Sequence, residues 1–233
     1  MLQLYLDPIT INCRKVLAGV ALLDTPNHLN YIDYFGGEHK SDDYLKINPN
    51  ATIPSAVDGD CTITESNAIL QYAADLGSSG GDDSAYPKDI KARANVNRWL
   101  LWEASSWFPS CYVYLVEFVV KPLLGDKPDQ SVIDAQAPKW NALAKVLDDQ
   151  LAKTKYIAGD SVTIADIAIA SPMHLPEASQ FPLDKHPNLK RWLKEYIEPL
   201  PCWKQTQAAV EKALLPNNDK SSSKSNGDSK AAA

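Results

Sequence analysis

The turn at residues 7–13 carries a hydroxyl and an amide, those of Thr10 and Asn12, just before an apolar helical pattern. A polar group at a helix N-terminus lies beside unpaired backbone N–H groups and the positive end of the helix dipole. A ligand thiol brought to this place would ionise more readily than its ordinary pKa of roughly 8.5 allows. The same residues also suit a plain helix cap, which needs no ligand. The turn therefore predicts either a thiolate-binding site or a capped helix.

Two other polar stretches could hold the charged ends of a ligand. His39 and Lys40 follow a pair of glycines, in a loop that can bind a carboxylate through charge-assisted hydrogen bonds. Glu65 could take an ammonium group, and Ser66 with the backbone N–H groups after it could take a second carboxylate at a helix N-terminus. A solvated loop and an ordinary helix cap would explain the same residues without any ligand.

A proline at the beginning of a predicted strand marks a fourth candidate feature. Pro54 has no backbone N–H, so it belongs at a sheet edge or in a special turn. If the Ile53–Pro54 bond is cis, the Ile53 backbone faces a ligand, and an extended peptide can pair with it. A trans proline in a plain loop is the alternative. Together the four features suit glutathione, which has two carboxylates, one ammonium group, a peptide backbone and a thiol.

The elements that would position these residues follow two different patterns. The first 76 residues predict strand, helix and strand, then a hairpin and a helix, which combines one crossover unit with an antiparallel pair. The expected strands are 2–6, 29–34, 53–57 and 61–64, and the expected helices are 12–23 and 66–76. Asp58 and Gly59 supply the hairpin signal between the last two strands. Residues 1–76 are therefore predicted to form an α/β domain.

The rest of the chain has helical periodicity and no strand signal. Residues 77–89 are dense in glycine, serine and aspartate, which predicts a linker. An all-helical domain is expected over residues 90–215, with helices at 90–124, kinked near Pro109, and at 137–151, 163–171, 188–196 and 203–214. The last stretch, 216–233, is too polar to bury apolar surface and is expected to be a disordered tail.

Composition narrows the classes of function. A net charge of −6 disfavours a nucleic-acid partner, because an acidic surface repels phosphates. The four cysteines form no C-x-x-C pair, which predicts reduced thiols in a reducing compartment and no metal site. The longest apolar stretch, residues 112–124, is too short to span a bilayer, and no signal peptide is evident. We therefore expect a cytoplasmic protein with no membrane partner.

The motifs as a set resemble the soluble glutathione transferase superfamily, over residues 2 to about 212, and most of all its phi class. The stretches that carry the resemblance are residues 8–17, 37–40, 48–49 with 53–54, 65–69 and 159–166. In the last of these, Thr163 and Asp166 are expected to form a helix-capping box. The resemblance implies a thioredoxin-like βαβ-ββα domain followed by an all-α helical bundle.

The same resemblance implies roles for individual residues. Thr10 stands where phi-like enzymes hold the serine that stabilises the glutathione thiolate, and Asn12 lies beside it. The threonine methyl group restricts χ1, and Thr52 stands where many relatives carry glutamine, so both positions depart from the pattern. The implied glutathione-binding residues are His39, Lys40, Thr52, Ile53, Pro54, Glu65 and Ser66. The aromatic residues Trp107, Phe108 and Tyr112 are expected to border the second substrate.

The implied activity is conjugation of glutathione, as co-substrate and without a metal, to an electrophilic hydrophobic compound by a homodimer, as in detoxification. The spacing of Thr10, Asn12 and Lys15 also resembles nu-type and nitrogen-regulator-like members, which implies a disulfide-bond reductase or thiol transferase as an alternative. A non-catalytic binding or regulatory protein is a third hypothesis, since fold alone does not guarantee catalysis. Cys13 is interpreted as a small packed residue, with a redox role as its alternative.

Overall fold

A four-stranded mixed sheet with helices packed on it forms the N-terminal part of the protein. The computed structural model describes residues 1–77 and 84–214. The strands are β1 (Leu2–Leu6), β2 (Asn27–Tyr31), β3 (Ser55–Asp58) and β4 (Cys61–Thr64), and the helices are α1 (Ile11–Leu22), α2 (Asp42–Leu45) and α3 (Ser66–Gly77), with a 3-10 turn at Glu38–Lys40. The spatial order is β2-β1-β3-β4, in which β1 and β2 are parallel and the other two pairs are antiparallel.

Alternation along β1 determines which face of the sheet is covered. Leu2, Leu4 and Leu6 are buried and pack with α1 and α3, whereas Gln3 and Tyr5 between them are only partly covered. Successive side chains of a strand point to opposite faces, so the three leucines share one apolar face. The end of β1 then leads directly into the turn that begins α1.

The predicted strands have the right order but shifted ends. The second strand begins at Asn27 and ends at Tyr31, and not at 29 and 34, because its first pairs are made by polar residues that carry little strand signal. Pairing continues irregularly for one more residue, since Ile32 N–H donates to the Leu6 carbonyl at 3.1 Å. The third strand begins at Ser55, which leaves Ile53 and Pro54 ahead of the paired region.

Seven α-helices, joined by turns and loops, make up most of the remaining described chain. They are α4 (Ile90–Trp102), α5 (Phe108–Leu115), α6 (Lys121–Leu123), α7 (Gln130–Leu151), α8 (Ile164–Ala170), α9 (Pro187–Arg191) and α10 (Pro201–Leu214). The helix predicted at 137–151 begins seven residues earlier, at Gln130, and so contains Pro138 in its interior. Asp129 caps this helix by accepting the N–H of Ser131 at 2.9 Å.

Three π-helical segments interrupt the described helices, and each ends two residues before a proline. The segments are Glu103–Trp107, Val116–Val120 and Trp192–Ile197, and the prolines are Pro109, Pro122 and Pro199. A proline lacks the N–H that a regular helix needs and its ring collides with the carbonyl four residues earlier. A wider π turn relieves that collision. The kink expected near Pro109 is thus a π segment immediately ahead of it.

The helical core is built around the capping box predicted at the start of α8. The Asp166 carboxylate accepts the backbone N–H of Thr163 at 2.8 Å and the Thr163 hydroxyl at 2.9 Å. It also accepts the N–H of Ile157 and the indole N–H of Trp192, which ties two further segments to α8. Burial raises the pKa of Asp166 to about 6 in spite of these four donors.

Parts of the predicted domain division lie outside the described residues. These are residues 78–83 of the expected linker at 77–89, and the whole of the expected tail at 216–233. Within the described ranges, no helix combines the length and the apolar character that crossing a membrane requires.

Candidate functional site

Thr10 is the residue that precedes helix α1, and it has an extended backbone with φ −82° and ψ 148°. Its carbonyl accepts the N–H of Arg14 at 2.8 Å, which begins the helix. Its hydroxyl donates to the carbonyl of Asp7 at 3.2 Å and does not cap the helix. The first backbone N–H groups of α1, a helix of twelve residues, thus lie next to the Thr10 hydroxyl and donate no hydrogen bond to it.

Cys13 lies behind this turn, on the inner side of α1. Its side chain is completely buried and packs with Leu6, Val16 and the rest of the sheet core. Burial raises the pKa of the Cys13 thiol to about 12, so the thiol is neutral at physiological pH. The structure therefore places this cysteine in the core, which fits the packing interpretation.

Asn12 is brought close to Ser66 by the packing of α1 against α3. The Ser66 hydroxyl lies 3.5 Å from the Asn12 side-chain oxygen and accepts a hydrogen bond from the Lys15 ammonium at 3.1 Å. Lys15 also forms an ion pair with Glu103 at 2.9 Å. Sequence reasoning did not single out Lys15 as a site residue and missed Glu103. The available signal was a charged residue on an otherwise apolar stretch of each helix.

Glu65 precedes α3 and has an exposed side chain. Its φ of 68° lies in the left-handed region, which residues other than glycine rarely adopt. Its carbonyl accepts the N–H of Ile69 at 3.0 Å, so Glu65 begins the helix while its carboxylate remains in solvent. An exposed carboxylate is thus carried by the residue that precedes Ser66.

His39 and Lys40 lie in the 3-10 turn and differ in exposure. His39 is buried and its ring stacks on Tyr34, with a centroid separation of 4.4 Å and an angle of 26° between the planes. Its Nδ1 atom is buried and has no hydrogen-bond partner among the described residues. Lys40 is exposed. The pair therefore consists of one imidazole ring held by stacking and one exposed ammonium group.

The Ile53–Pro54 bond is cis, as the predicted ligand-facing geometry requires. The preceding carbonyl, that of Thr52, accepts hydrogen bonds from the Tyr44 hydroxyl and the Asn48 side chain, both at 2.7 Å. Tyr44 and Asn48 are buried, whereas the Thr52 side chain is exposed. Two core residues thus hold the loop that carries the candidate peptide-pairing backbone.

Phe108 and Tyr112 form a stacked pair on α5, with ring centroids 5.6 Å apart and an angle of 15° between the planes. Phe108 packs on a small apolar cluster that contains Ile11 and Leu115. Because Ile11 follows Thr10 directly, this cluster joins α5 to the polar turn. Tyr112 is 44% exposed, so the pair reaches the protein surface.

Trp107 does not belong with these two aromatic residues, and its assignment to the second-substrate pocket is corrected. It is completely buried, and its indole N–H donates to the Ile169 carbonyl at 3.0 Å. Its ring stacks on Trp102 and lies tilted against Trp140. Trp107 is therefore part of the helical core and is not accessible to a substrate.

The structure joins some of the predicted site residues by direct contact and leaves others apart. Asn12 and Ser66 meet at the junction of α1 and α3, and Phe108 reaches the residue next to Thr10. Within residues 1–77 and 84–214, no hydrogen bond or ion pair links His39, Lys40 or Glu65 to one another. These three groups are thus separate points at which a ligand with several charges could be held.

The sequence is similar to those of glutathione S-transferases over most of its length. Family models for the N-terminal and C-terminal domains of glutathione S-transferases match residues 11–76 and 112–199. Glutathione S-transferase 3 of Zea mays is 34% identical over 215 residues, which cover 90% of this chain and 94% of the maize protein. Human glutathione S-transferase theta-1 is 32% identical over 194 residues, which cover 82% of this chain and 80% of the human protein.

Solved structures of the same family have the same fold. Glutathione transferase F7 from Populus trichocarpa superposes with a TM-score of 0.81 at 28% identity, and the match covers 90% of this chain and 99% of the poplar chain. Glutathione S-transferase I from maize, in complex with an atrazine–glutathione conjugate, superposes with a TM-score of 0.79 at 26% identity, and the match covers 90% and 98%. The thioredoxin-like domain and the helical bundle are thereby confirmed, and the chain is a phi-like member of the glutathione S-transferase family.

Proposed function

We propose that this enzyme conjugates the thiolate of glutathione to an electrophilic, apolar substrate. The observation that carries the proposal is the position of the Thr10 hydroxyl, at the N-terminus of α1 and next to the apolar cluster around Ile11 and Phe108. A thiolate at this point would meet a hydrogen-bond donor, a helix dipole and an apolar neighbour at once. The relatives named above, one of them bound to a glutathione conjugate, support the same reaction.

The chemical contribution of the protein is to stabilise the anion. On binding, the Thr10 hydroxyl would turn from the Asp7 carbonyl and donate to the glutathione sulfur. A hydrogen bond to a charged group contributes about 1.5–3 kcal/mol, which lowers a pKa by roughly one to two units. The fraction of thiolate at neutral pH rises accordingly. The thiolate then attacks the electrophilic carbon and the leaving group departs with the bonding electrons.

The remaining proposed contacts hold the tripeptide in place. His39 and Lys40 would bind the glycine carboxylate. The loop of Thr52, Ile53 and Pro54 would pair its backbone with the cysteinyl unit. At the other end, Glu65 would bind the γ-glutamyl ammonium group and Ser66 its carboxylate. The fixed ring of His39, the anchored Thr52 carbonyl and the exposed carboxylate of Glu65 support this order of contacts.

The proposed second-substrate surface is the stacked pair of Phe108 and Tyr112. Flat aromatic faces attract apolar and aromatic ligands, and this pair lies across the Ile11 cluster from the polar turn. The electrophile would therefore bind with its reactive carbon toward Thr10. We also propose that the enzyme is a cytoplasmic homodimer with a role in detoxification. The exposed apolar side chains Ile90 and Leu101 on α4 support an interface there.

Disulfide reduction with glutathione is a second candidate, favoured by the presence of Asn12 two residues after Thr10, in the first turn of α1. Parallel assays with glutathione and either a chloronitrobenzene or a mixed disulfide would separate the two activities. Calorimetry of the full chain with glutathione tests both together. Conjugation of the chloronitrobenzene is the expected dominant activity, and an absence of glutathione binding would leave only a non-catalytic role.

A further inference from the structure

Lys15 and Glu103 form the only ion pair of the described residues in which both side chains are buried almost completely, with 2% and 0% exposure. Their charged atoms lie 2.9 Å apart, on α1 and at the first residue of the π segment before α5. Removing two charges from water costs several kcal/mol, and the attraction between them often does no more than offset that cost. Stability alone is therefore a weak reason for this pair to exist.

The contacts of the pair lead to one end of the proposed glutathione site. The Lys15 ammonium donates to the Ser66 hydroxyl at 3.1 Å, and Glu103 also accepts the side-chain N–H of Asn67 at 2.9 Å. Ser66 and Asn67 are the first residues of α3. The pair thus ties the N-terminus of α3, where a carboxylate would bind, to both α1 and the helical domain.

The direction of these hydrogen bonds determines whether the Ser66 hydroxyl can donate to a ligand. An ammonium group can only donate, so the Ser66 oxygen is the acceptor of the bond from Lys15. The hydroxyl hydrogen of Ser66 must then point elsewhere. Its nearest acceptor is the Asn12 side-chain oxygen at 3.5 Å, which is a long and weak contact. Ser66 therefore has a hydrogen available for an incoming anion, and a buried cation polarises it.

We propose that Lys15 is a positioning residue for glutathione, which acts through Ser66 and is held in place by Glu103. Its ammonium fixes the Ser66 hydroxyl as a donor toward the α-carboxylate of the γ-glutamyl group and places a positive charge one hydrogen bond away from it. This inference rests on the proposed function, because it requires that Ser66 receives that carboxylate.

The test compares ligands that differ in the carboxylate only. Dissociation constants are measured by calorimetry for glutathione and for 4-aminobutyryl-cysteinyl-glycine, which keeps the amine and lacks the α-carboxylate. Wild type is expected to prefer glutathione. Lys15→Met should weaken glutathione binding about tenfold, because Ser66 loses the cation that orients and polarises its hydroxyl toward the carboxylate, and should leave the affinity for the analogue nearly unchanged. The KM for the electrophile should not change.

An equal loss of affinity for both ligands would show that Lys15 is merely structural and would overturn the inference, as would unchanged glutathione binding in Lys15→Met. If that variant fails to fold, the double variant Lys15→Met with Glu103→Gln removes both charges and leaves neither unpaired. The same change is then expected in the ratio of the two dissociation constants, for glutathione and for the analogue. Lys121→Met breaks a distant pair with Glu117 and should leave the ratio at its wild-type value. A wild-type chain that binds no glutathione would refute the proposed function itself.

Discussion

The Thr10 hydroxyl donates to the Asp7 carbonyl at 3.2 Å, across the turn that joins β1 to α1. This bond holds the side chain at the helix N-terminus and leaves the first N–H groups of α1 free of a side-chain cap. Asp7 is buried, and burial raises the pKa of its carboxyl group. The Thr10 hydroxyl thus donates to a neutral carbonyl. A thiolate is a stronger acceptor because it is charged, so it can replace the Asp7 carbonyl as the partner of this hydroxyl.

Replacing Thr10 by alanine should lower kcat/KM for chloronitrobenzene conjugation by about 10- to 100-fold, because one hydrogen bond to the thiolate is lost. Titration of the bound thiol by its ultraviolet thiolate absorbance should show a higher pKa than in wild type. The affinity for glutathione at low pH, where the thiol is protonated in both proteins, should change little.

Thr10→Ser is the matched control, because it keeps the hydroxyl and removes only the methyl group that restricts χ1. This variant should retain most of the activity and the low thiol pKa. Unchanged turnover in Thr10→Ala would exclude Thr10 from the chemistry.

Cys13 should be dispensable for activity. Cys13→Ala is expected to conjugate at nearly the wild-type rate and to lose about 1 kcal/mol of stability, since it leaves a small cavity between α1 and the sheet. Thiol-reactive reagents should label the exposed Cys61 in the native protein much faster than Cys13. Loss of mixed-disulfide reduction in Cys13→Ala, with folding intact, would instead assign the residue a redox role.

The site residues that could be predicted from the sequence are those that belong to short local motifs. Thr10, Ile53, Pro54 and Ser66 each lie at a turn or helix start that a short stretch of sequence specifies. The pair of Lys15 and Glu103 joins residues 88 positions apart, and only packing of the two domains brings them together. No local pattern encodes such a contact.

The aromatic residues between positions 107 and 112 illustrate a second limit of sequence-based prediction, which is the rotational phase of a helix. Trp107, Phe108 and Tyr112 are all aromatic and lie within six residues, so residue type alone assigns them the same role. The π segment that ends at Trp107 changes the direction in which each following side chain points. Only the structure separates the buried Trp107 indole from the half-buried Phe108 and the exposed Tyr112.

Substitution of Phe108 or Tyr112 should therefore change the kinetics, whereas substitution of Trp107 should change the stability. Phe108→Ala and Tyr112→Ala should raise the KM for an aromatic electrophile severalfold and leave glutathione affinity intact, since they remove only the proposed apolar surface. Trp107→Phe should lower the free energy of unfolding by about 2 kcal/mol, because it removes a buried hydrogen bond and core volume.

Steady-state kinetics with each substrate varied in turn, together with thermal unfolding, distinguish the two effects. A rise in the electrophile KM of stable Trp107→Phe, equal to that of Phe108→Ala, would contradict the placement of Trp107 in the core.

His174 should make the fold sensitive to acid. Burial, reinforced by the charge of Arg14, lowers the pKa of His174 from 6.5 to about 3, so the folded state keeps this ring neutral. The unfolded state takes up a proton below pH 6.5. The contribution of the neutral His174 ring to the free energy of unfolding is therefore fully present above pH 6.5 and is lost progressively as the pH falls toward 3.

Denaturant unfolding at several pH values should show this dependence, with a slope from one histidine of at most about 1.4 kcal/mol per pH unit. His174→Gln cannot take up the proton and should flatten the curve between pH 6.5 and 3. An identical curve for the variant would assign the acid sensitivity to other groups.

The π segment at Glu103–Trp107 also has a consequence for how the chain tolerates a change of length. A π turn closes its hydrogen bond over five residues instead of four, so it holds one residue more than an α-helical turn. Deleting one residue from 104–106 would therefore restore a regular α-helix and leave α5 in nearly the same rotational phase. At this point the gene can lose one codon while Phe108 and Tyr112 keep the face of the helix that they occupy.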